Sequence, residues 1–272
     1  MSDQRKILVY DGDCRVCVGL VKLLHYLSLL SENVETTAYS DVPAQVGSEI
    51  DKERFRTEVA VVSQAGTEYG IKGIRNIISP HTWLGKLLNI PLIFPLFIFC
   101  YKLISFNRFV IATPYNEPED CGCNQTREEY FYKLVYLILS ASATLIILAG
   151  TAITFNGIFY NLGKSEVLIR SFLLFGAAGF VQLFMVLTIY RFHFFDYIGH
   201  FFTVGLAASL FFIPWIIISM FYKGDIVLAF FIFCFILSFT VIHYRRLKYL
   251  QFPLWLNFPF WLVLITGIFV IL

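Results

Sequence analysis

The chain has 272 residues, 58% hydrophobic and only 15% charged, well below the ~25% charge of an average soluble domain. A net charge of +2 is too small to draw it to nucleic acid, and no basic patch interleaved with aromatics appears. The apolar excess is uneven. Residues 1–82 have the composition of a soluble domain, while 131–272 form a series of nearly continuous apolar runs, so at least two domains are expected. Met1 to Lys6 is polar and leads straight into a strand, so no signal peptide is expected.

Lys6 to Tyr10 is a short apolar run, expected as a buried first strand. Asp11-Gly12-Asp13 is turn chemistry, with Asp13 as the expected N-cap of the helix that follows. Val18, Val21, Leu24 and Leu27 give that helix an apolar face between Val18 and Leu30. Cys14 and Cys17 fall at the strand-to-helix junction. Two thiols one helical turn apart can close a disulfide, and a helix N-terminus stabilises the thiolate of the first.

Further strands are expected at Val34 to Tyr39, Glu58 to Gln64 and Glu68 to Ile71, with a loop and short helix over Ser40 to Arg56 and a helix over Gly73 to Ser79. The order β-α-β-α-β-β-α is a thioredoxin-like one. Ile90 to Ile104 is almost wholly apolar but is interrupted by Pro91 and Pro95 and is too short to span a bilayer. The stretch 83–113 is therefore expected as an amphipathic, interfacial segment, with a re-entrant helix as the alternative. Residues 114–130, with Cys121-Gly122-Cys123, have a linker's composition.

Five transmembrane segments are expected: about Phe131 to Ile153, Leu168 to Tyr190, Ile198 to Phe221, Ile226 to Tyr244, and Pro253 to Leu272, with Pro214 kinking the third. Tyr and Trp near their ends form an interfacial belt. Arg127, Lys133, Arg191, Arg245, Arg246 and Lys248 fall on the side of the first domain, and Lys164, Arg170 and Lys223 on the other. That bias puts the amino-terminal domain in the cytoplasm and the carboxyl end outside, as in an integral protein of a bacterial inner membrane.

The string Tyr10-Asp11-Gly12-Asp13-Cys14-x-x-Cys17 resembles the DCC family of predicted thiol-disulfide oxidoreductases, named for a D-x-x-C-x-x-C core. Tyr101 to Phe109 resembles the Y-x-x-x-x-x-N-R-[YF] ending of that family, and Leu87 to Pro95 the Leu/Pro-rich stretch before it. The resemblance covers about residues 6–112. It implies a thioredoxin-like fold and thiol-disulfide exchange with protein thiol or disulfide substrates. On this resemblance Cys14 is the attacking thiol, Cys17 the resolving thiol and Asp11 a motif acid. One departure stands out: Arg56-Thr57-Glu58-Val59 has no proline where thioredoxins carry a cis-proline opposite the cysteines.

Other readings of the same residues stay open. Cys14, Cys17, Cys121 and Cys123 together suit a tetrahedral zinc site. Cys121 and Cys123 also suit a relay exchanging with Cys14, or two thiols simply kept reduced. Cys100 and Cys234 lie in apolar runs and are expected to pack. In the membrane half, Arg191, His193, Asp196 and His200 cluster at helical spacing, and His243 ends the fourth span on the same side. Asp196, His200 and His243 are candidates for a metal, haem or quinone site or a proton relay, against ordinary snorkelling at the headgroups. A non-enzymatic alternative makes the first domain a docking module for partner membrane subunits, with the helices as anchor.

Overall fold

The structure is a computed structural model, described here for residues 5–115, 127–159, 164–189, 194–219, 221 and 225–262. The chain divides into two units, 1–133 and 134–272. In the first, β1 (Lys6–Tyr10) is followed by α1 (Arg15–Tyr26), β2 (Val34–Ala38), the short helices α2 (Ala44–Gly47) and α3 (Lys52–Phe55), β3 (Ala60–Ser63) and β4 (Gly66–Tyr69). Then come α4 (Gly70–Ile77), α5 (Trp83–Leu88), α6 (Phe94–Phe106) and α7 (Arg108–Ile111). The sheet runs β2-β1-β3-β4, with β1 parallel to β2 and antiparallel to β3, and β3 antiparallel to β4. This mixed sheet with its helices is the α/β arrangement the sequence order implies.

Alternation along the strands divides two apolar layers. Leu8 and Val61 face one side, where they meet Val21 and Leu24 of α1, Ile74 and Ile77 of α4, and Phe94, Phe97 and Tyr101 of α6. Val9, Ala60 and Val62 face the other, against Ile50, Val46 and Phe55. Gly73 lets α4 lie close on β3: a Cβ there would stand 3.0 Å from both Val61 Cγ2 and Glu68 O. Gly70 joins β4 to α4 at φ +64°, a left-handed conformation that favours glycine.

The apolar stretch before the second motif is organised differently from its expected interruption by two prolines. Pro95 sits in the first turn of α6, where its missing N–H costs no helical hydrogen bond. Asn107 then ends α6 and opens α7, its Nδ2 donating to Leu103 O at 2.8 Å and to Tyr132 O at 3.2 Å.

The second unit is helical. α8 (Arg127–Phe159) begins in the first unit and continues into it, followed by α9 (Lys164–Ile189), α10 (Phe194–Ser209), α11 (Phe212–Ile218), α12 (Asp225–Tyr249) and a short 3-10 turn at Leu254–Asn257. Its core includes Tyr197, Phe201, Trp215, Phe239 and Phe260. Against the expected five, the described residues hold three helical stretches long and apolar enough to cross a membrane: Glu128–Thr151, Tyr197–Ile218 and Phe230–Tyr249. Gly176–Ile189 is apolar but shorter, and 263–272, half of the fifth expected segment, lie outside the described residues. The third expected segment is broken between α10 and α11. Pro214 cannot donate to Leu210 O, four residues back, and that carbonyl instead accepts from Ile213 N at 3.1 Å.

Candidate thiol site

The turn after β1 is built by Asp11. Its Oδ1 accepts from the backbone N–H of Asp13 at 3.0 Å and of Cys14 at 3.2 Å. The expected N-cap, Asp13, does not cap α1. Cys14 does, with extended backbone and its Sγ accepting from Cys17 N at 3.4 Å. The reason is local: Asp11 has already bent the chain, so the first residue aimed at the orphan N–H groups of the helix is the cysteine. Cys14 and Cys17 are both free thiols, exposed by 0% and 7%.

Arg108 at the start of α7 completes the site. Its NH2 lies 3.1 Å from Asp11 Oδ2 and donates to Arg56 O at 2.7 Å, while NH1 donates to Cys17 Sγ at 3.5 Å. Its guanidinium also lies 4.7 Å from the ring centre of Phe109. These contacts make the two thiols unlike. The Cys14 thiol is lowered to about 7 by its hydrogen bond with Cys17, against burial, with help from Arg108 and from the Cys17 N–H. The Cys17 thiol is pushed up by donating to Cys14 and by burial.

The rest of the second motif clasps the chain just before β3. Tyr101 Oη accepts from Val59 N at 3.1 Å, Ser105 Oγ donates to Thr57 O, and Arg108 takes Arg56 O. Burial raises the Tyr101 phenol and the Glu58 carboxyl beside this clasp. Among the described residues there is no cis peptide bond. The backbone of residues 56–59, where the sequence reading looks for the proline of thioredoxins, is bonded to α6 and α7. Tyr101, Asn107 and Arg108 were legible as a motif; their roles were not, because they act from outside the cysteine loop.

Residues 112–115 follow α7 back to the thiols. Tyr115 N donates to Asp13 O at 2.9 Å, and the Arg15 guanidinium lies 4.7 Å from the Tyr115 ring centre. The two neighbours of Cys14 in sequence are therefore both held by Tyr115. Cys121 and Cys123 lie outside the described residues. Cys100, expected to pack, is exposed on α6, and Cys234 is half-buried on α12.

In the second unit, His200 and His243 are buried with Arg246, Tyr197 and Gln182. Gln182 Nε2 donates to Tyr197 Oη at 2.6 Å and to Leu256 O at 2.8 Å. Tyr197 Oη lies 2.8 Å from His243 Nε2, and His243 Nδ1 lies 2.6 Å from Asn257 Oδ1. Arg246 NH1 lies 2.6 Å from His200 Nδ1. A guanidinium only donates, so His200 Nδ1 accepts and its ring proton is assigned to Nε2. Gln182 Oε1 is a buried acceptor without a hydrogen-bond partner. Among the described residues no group of three or more His, Cys, Asp or Glu is placed to hold a metal. His193 and the side chain of Asp196 lie outside the described residues.

Comparison with known proteins bears on the first unit. Residues 8–113 match the family model described as DCC1-like thiol-disulfide oxidoreductase. No curated protein matches the chain, and no solved structure does.

Proposed function

We propose that the protein is a membrane-anchored thiol-disulfide oxidoreductase whose reacting pair is Cys14 and Cys17. The observation that carries this reading is the placement of the two thiols: Cys14 Sγ at the N-cap of α1 accepts from the Cys17 N–H at 3.4 Å, and Arg108, paired with Asp11, reaches Cys17 Sγ at 3.5 Å. Attack requires a thiolate. The Cys14 thiolate attacks one sulfur of a substrate disulfide, forming a mixed disulfide and releasing the other sulfur as a thiolate. That thiolate takes the Cys17 proton. Cys17 then attacks the Cys14 sulfur, closing the Cys14–Cys17 disulfide and releasing the second substrate sulfur, which leaves as a thiol with a proton from water. The substrate is reduced by two electrons and the pair oxidised by two.

Cys121 and Cys123 serve this reading as the thiols that re-reduce the pair by exchange. Tyr115 lies beside the motif, and six further residues reach at most about 20 Å. The loop charges favour a cytoplasmic first domain, where reduction of substrates is the prevailing direction. For the cluster around His200 and His243 a quinone headgroup is the ligand we favour, because Gln182 Oε1 is a buried acceptor without a partner, to which the O–H of a reduced headgroup would donate.

A thiol-trapping titration of the full-length protein tests the function. We expect a Cys14–Cys17 disulfide that forms and breaks within the range of cellular thiol couples, and a Cys17→Ser variant that traps a mixed disulfide at Cys14. A pair that never oxidises across that range refutes the reading. The complete burial of Cys14 favours one alternative, a docking module for partner subunits. Unchanged function with both cysteines replaced by serine is its signature.

A further inference from the structure

Helix α6 has three sides with three different environments. Phe94, Phe97 and Tyr101 pack into the core beneath the sheet. Phe99 and Phe106 meet Tyr132 at the start of α8, with ring centres 5.6 and 5.4 Å apart, and Lys102 pairs with Glu128. On the third side Leu96, Cys100 and Ile104 recur every four residues, which aligns them along one helix face, and Leu92 lies in the turn that leads into the helix. Leu92 is 89% exposed, Leu96 61% and Ile104 48%, and Cys100 is exposed as well. Trp83 and Lys86 on α5 are exposed as well, Trp83 by 60%, and so is Ile90 in the connection from α5 to α6.

A water-soluble surface rarely carries so continuous an apolar stripe, and the connections of α6 indicate what covers this one. Glu128 and Tyr132 belong to the first turns of the stretch Glu128–Thr151, which is apolar and long enough to cross a bilayer. Side chains of α6 grip those turns. The helix is thus held where the chain passes from water to hydrocarbon, with the Lys102–Glu128 pair at the polar level and the exposed Tyr130 and Phe131 as aromatic belt residues. At thirteen residues α6 is about 20 Å long, too short to cross ~30 Å of hydrocarbon but suited to lying in the interface.

We infer that α5 and α6 form a monotopic membrane arm: Leu92, Leu96, Cys100 and Ile104 insert among lipid acyl chains, Trp83 sits at headgroup level, and Lys86 meets lipid phosphates. Through Asn107 the same arm leads into Arg108, which holds Asp11 and Cys17. The arm therefore sets the height of the thiol pair above the bilayer. This inference rests on the apolar helices and not on the redox reading.

Spin labels on the full-length protein in nanodiscs of phosphatidylcholine and phosphatidylglycerol test it. Labels are placed singly at Leu92→Cys, Leu96→Cys, the native Cys100 and Ile104→Cys, with the exposed Lys22→Cys and Glu53→Cys as controls, the other cysteines being replaced by serine. We expect oxygen to outcompete a water-soluble nickel chelate several-fold at the stripe, and the chelate to prevail at the controls. Stripe labels as open to nickel as Lys22→Cys overturn the inference. So do stripe labels shielded from both reagents, which signify a protein partner or second copy. A further measurement keeps every native cysteine: brominated lipid must quench a fluorescence component that disappears in Trp83→Phe. Absence of that quenched component also overturns the inference.

Discussion

Arg108 NH1 reaches the sulfur of Cys17 at 3.5 Å across 91 positions of sequence, and NH2 of the same guanidinium pairs with Asp11 at 3.1 Å. The D-x-x-C-x-x-C string and the distant Asn107-Arg108 are therefore two halves of one site. The planar fork of arginine explains how one side chain holds both a carboxylate and a sulfur.

Replacing Arg108 tests that joint role through pH. A group whose acidity is increased by folding is ionised above its lowered value, so alkylation of Cys14 by iodoacetamide should rise with pH around a midpoint of about 7 and then level off. Arg108→Met removes a stabilising cation, so the midpoint should move up by roughly one pH unit. Arg108→Lys keeps the charge without the fork and should fall between. Because Arg108 is buried and its loss removes the counter-ion of Asp11 and a donor to Arg56 O, the methionine variant should also lose about 3 kcal/mol of stability to denaturant. A midpoint unmoved in Arg108→Met would remove the guanidinium from the thiol chemistry.

Tyr115 offers a separable effect. The residues on either side of Cys14 are tied to it, and Cys14 has no exposed surface. Arg15→Ala and Tyr115→Ala should raise the plateau rate of Cys14 alkylation about tenfold, the size of effect that loss of a contact worth ~1.4 kcal/mol produces. The pH midpoint should stay in place. An increase that comes with a shifted midpoint would mean that Tyr115 acts on the thiolate and not on access to it.

Much of the first unit was legible because its signals are local. The two-residue alternation around Leu8 and Val61 and the turn chemistry of Asp11-Gly12-Asp13 predict the strand and the start of α1. The sequence points to Asp13 as the cap, but the Asx turn made by Asp11 shifts the capping position by one residue, a competition that composition does not reveal. Pro95 looked like an interruption because position within a helix decides whether a proline breaks it or begins it. Arg108 carried no periodicity at all: its role depends on a tertiary approach of α7 to α1. In the membrane half hydropathy located apolar runs, but it carries no information on the hydrogen bonds that organise Gln182, Tyr197 and His243.

The clasp before β3 leads to the last prediction. In a thioredoxin-like groove, backbone near the cysteines is open to pair with an extended substrate, whereas here Val59 N, Thr57 O and Arg56 O are all taken by Tyr101, Ser105 and Arg108. Tyr101→Phe deletes one acceptor and leaves the Val59 N–H buried without a partner, at a cost of about 1–3 kcal/mol. The ring is conserved in shape, so packing against the core should change little. Hydrogen exchange should then speed at Val59, while the amides of β1 exchange at their native rate. Adding Ser105→Ala should extend the loss of protection to neighbouring amides of 56–59. If exchange at Val59 is unchanged in Tyr101→Phe, the second motif is not what closes this backbone. If instead the freed backbone binds extended peptides that the native protein ignores, the clasp acts as a barrier to substrates that dock by strand pairing. The native site would then select disulfides that need only reach Cys14.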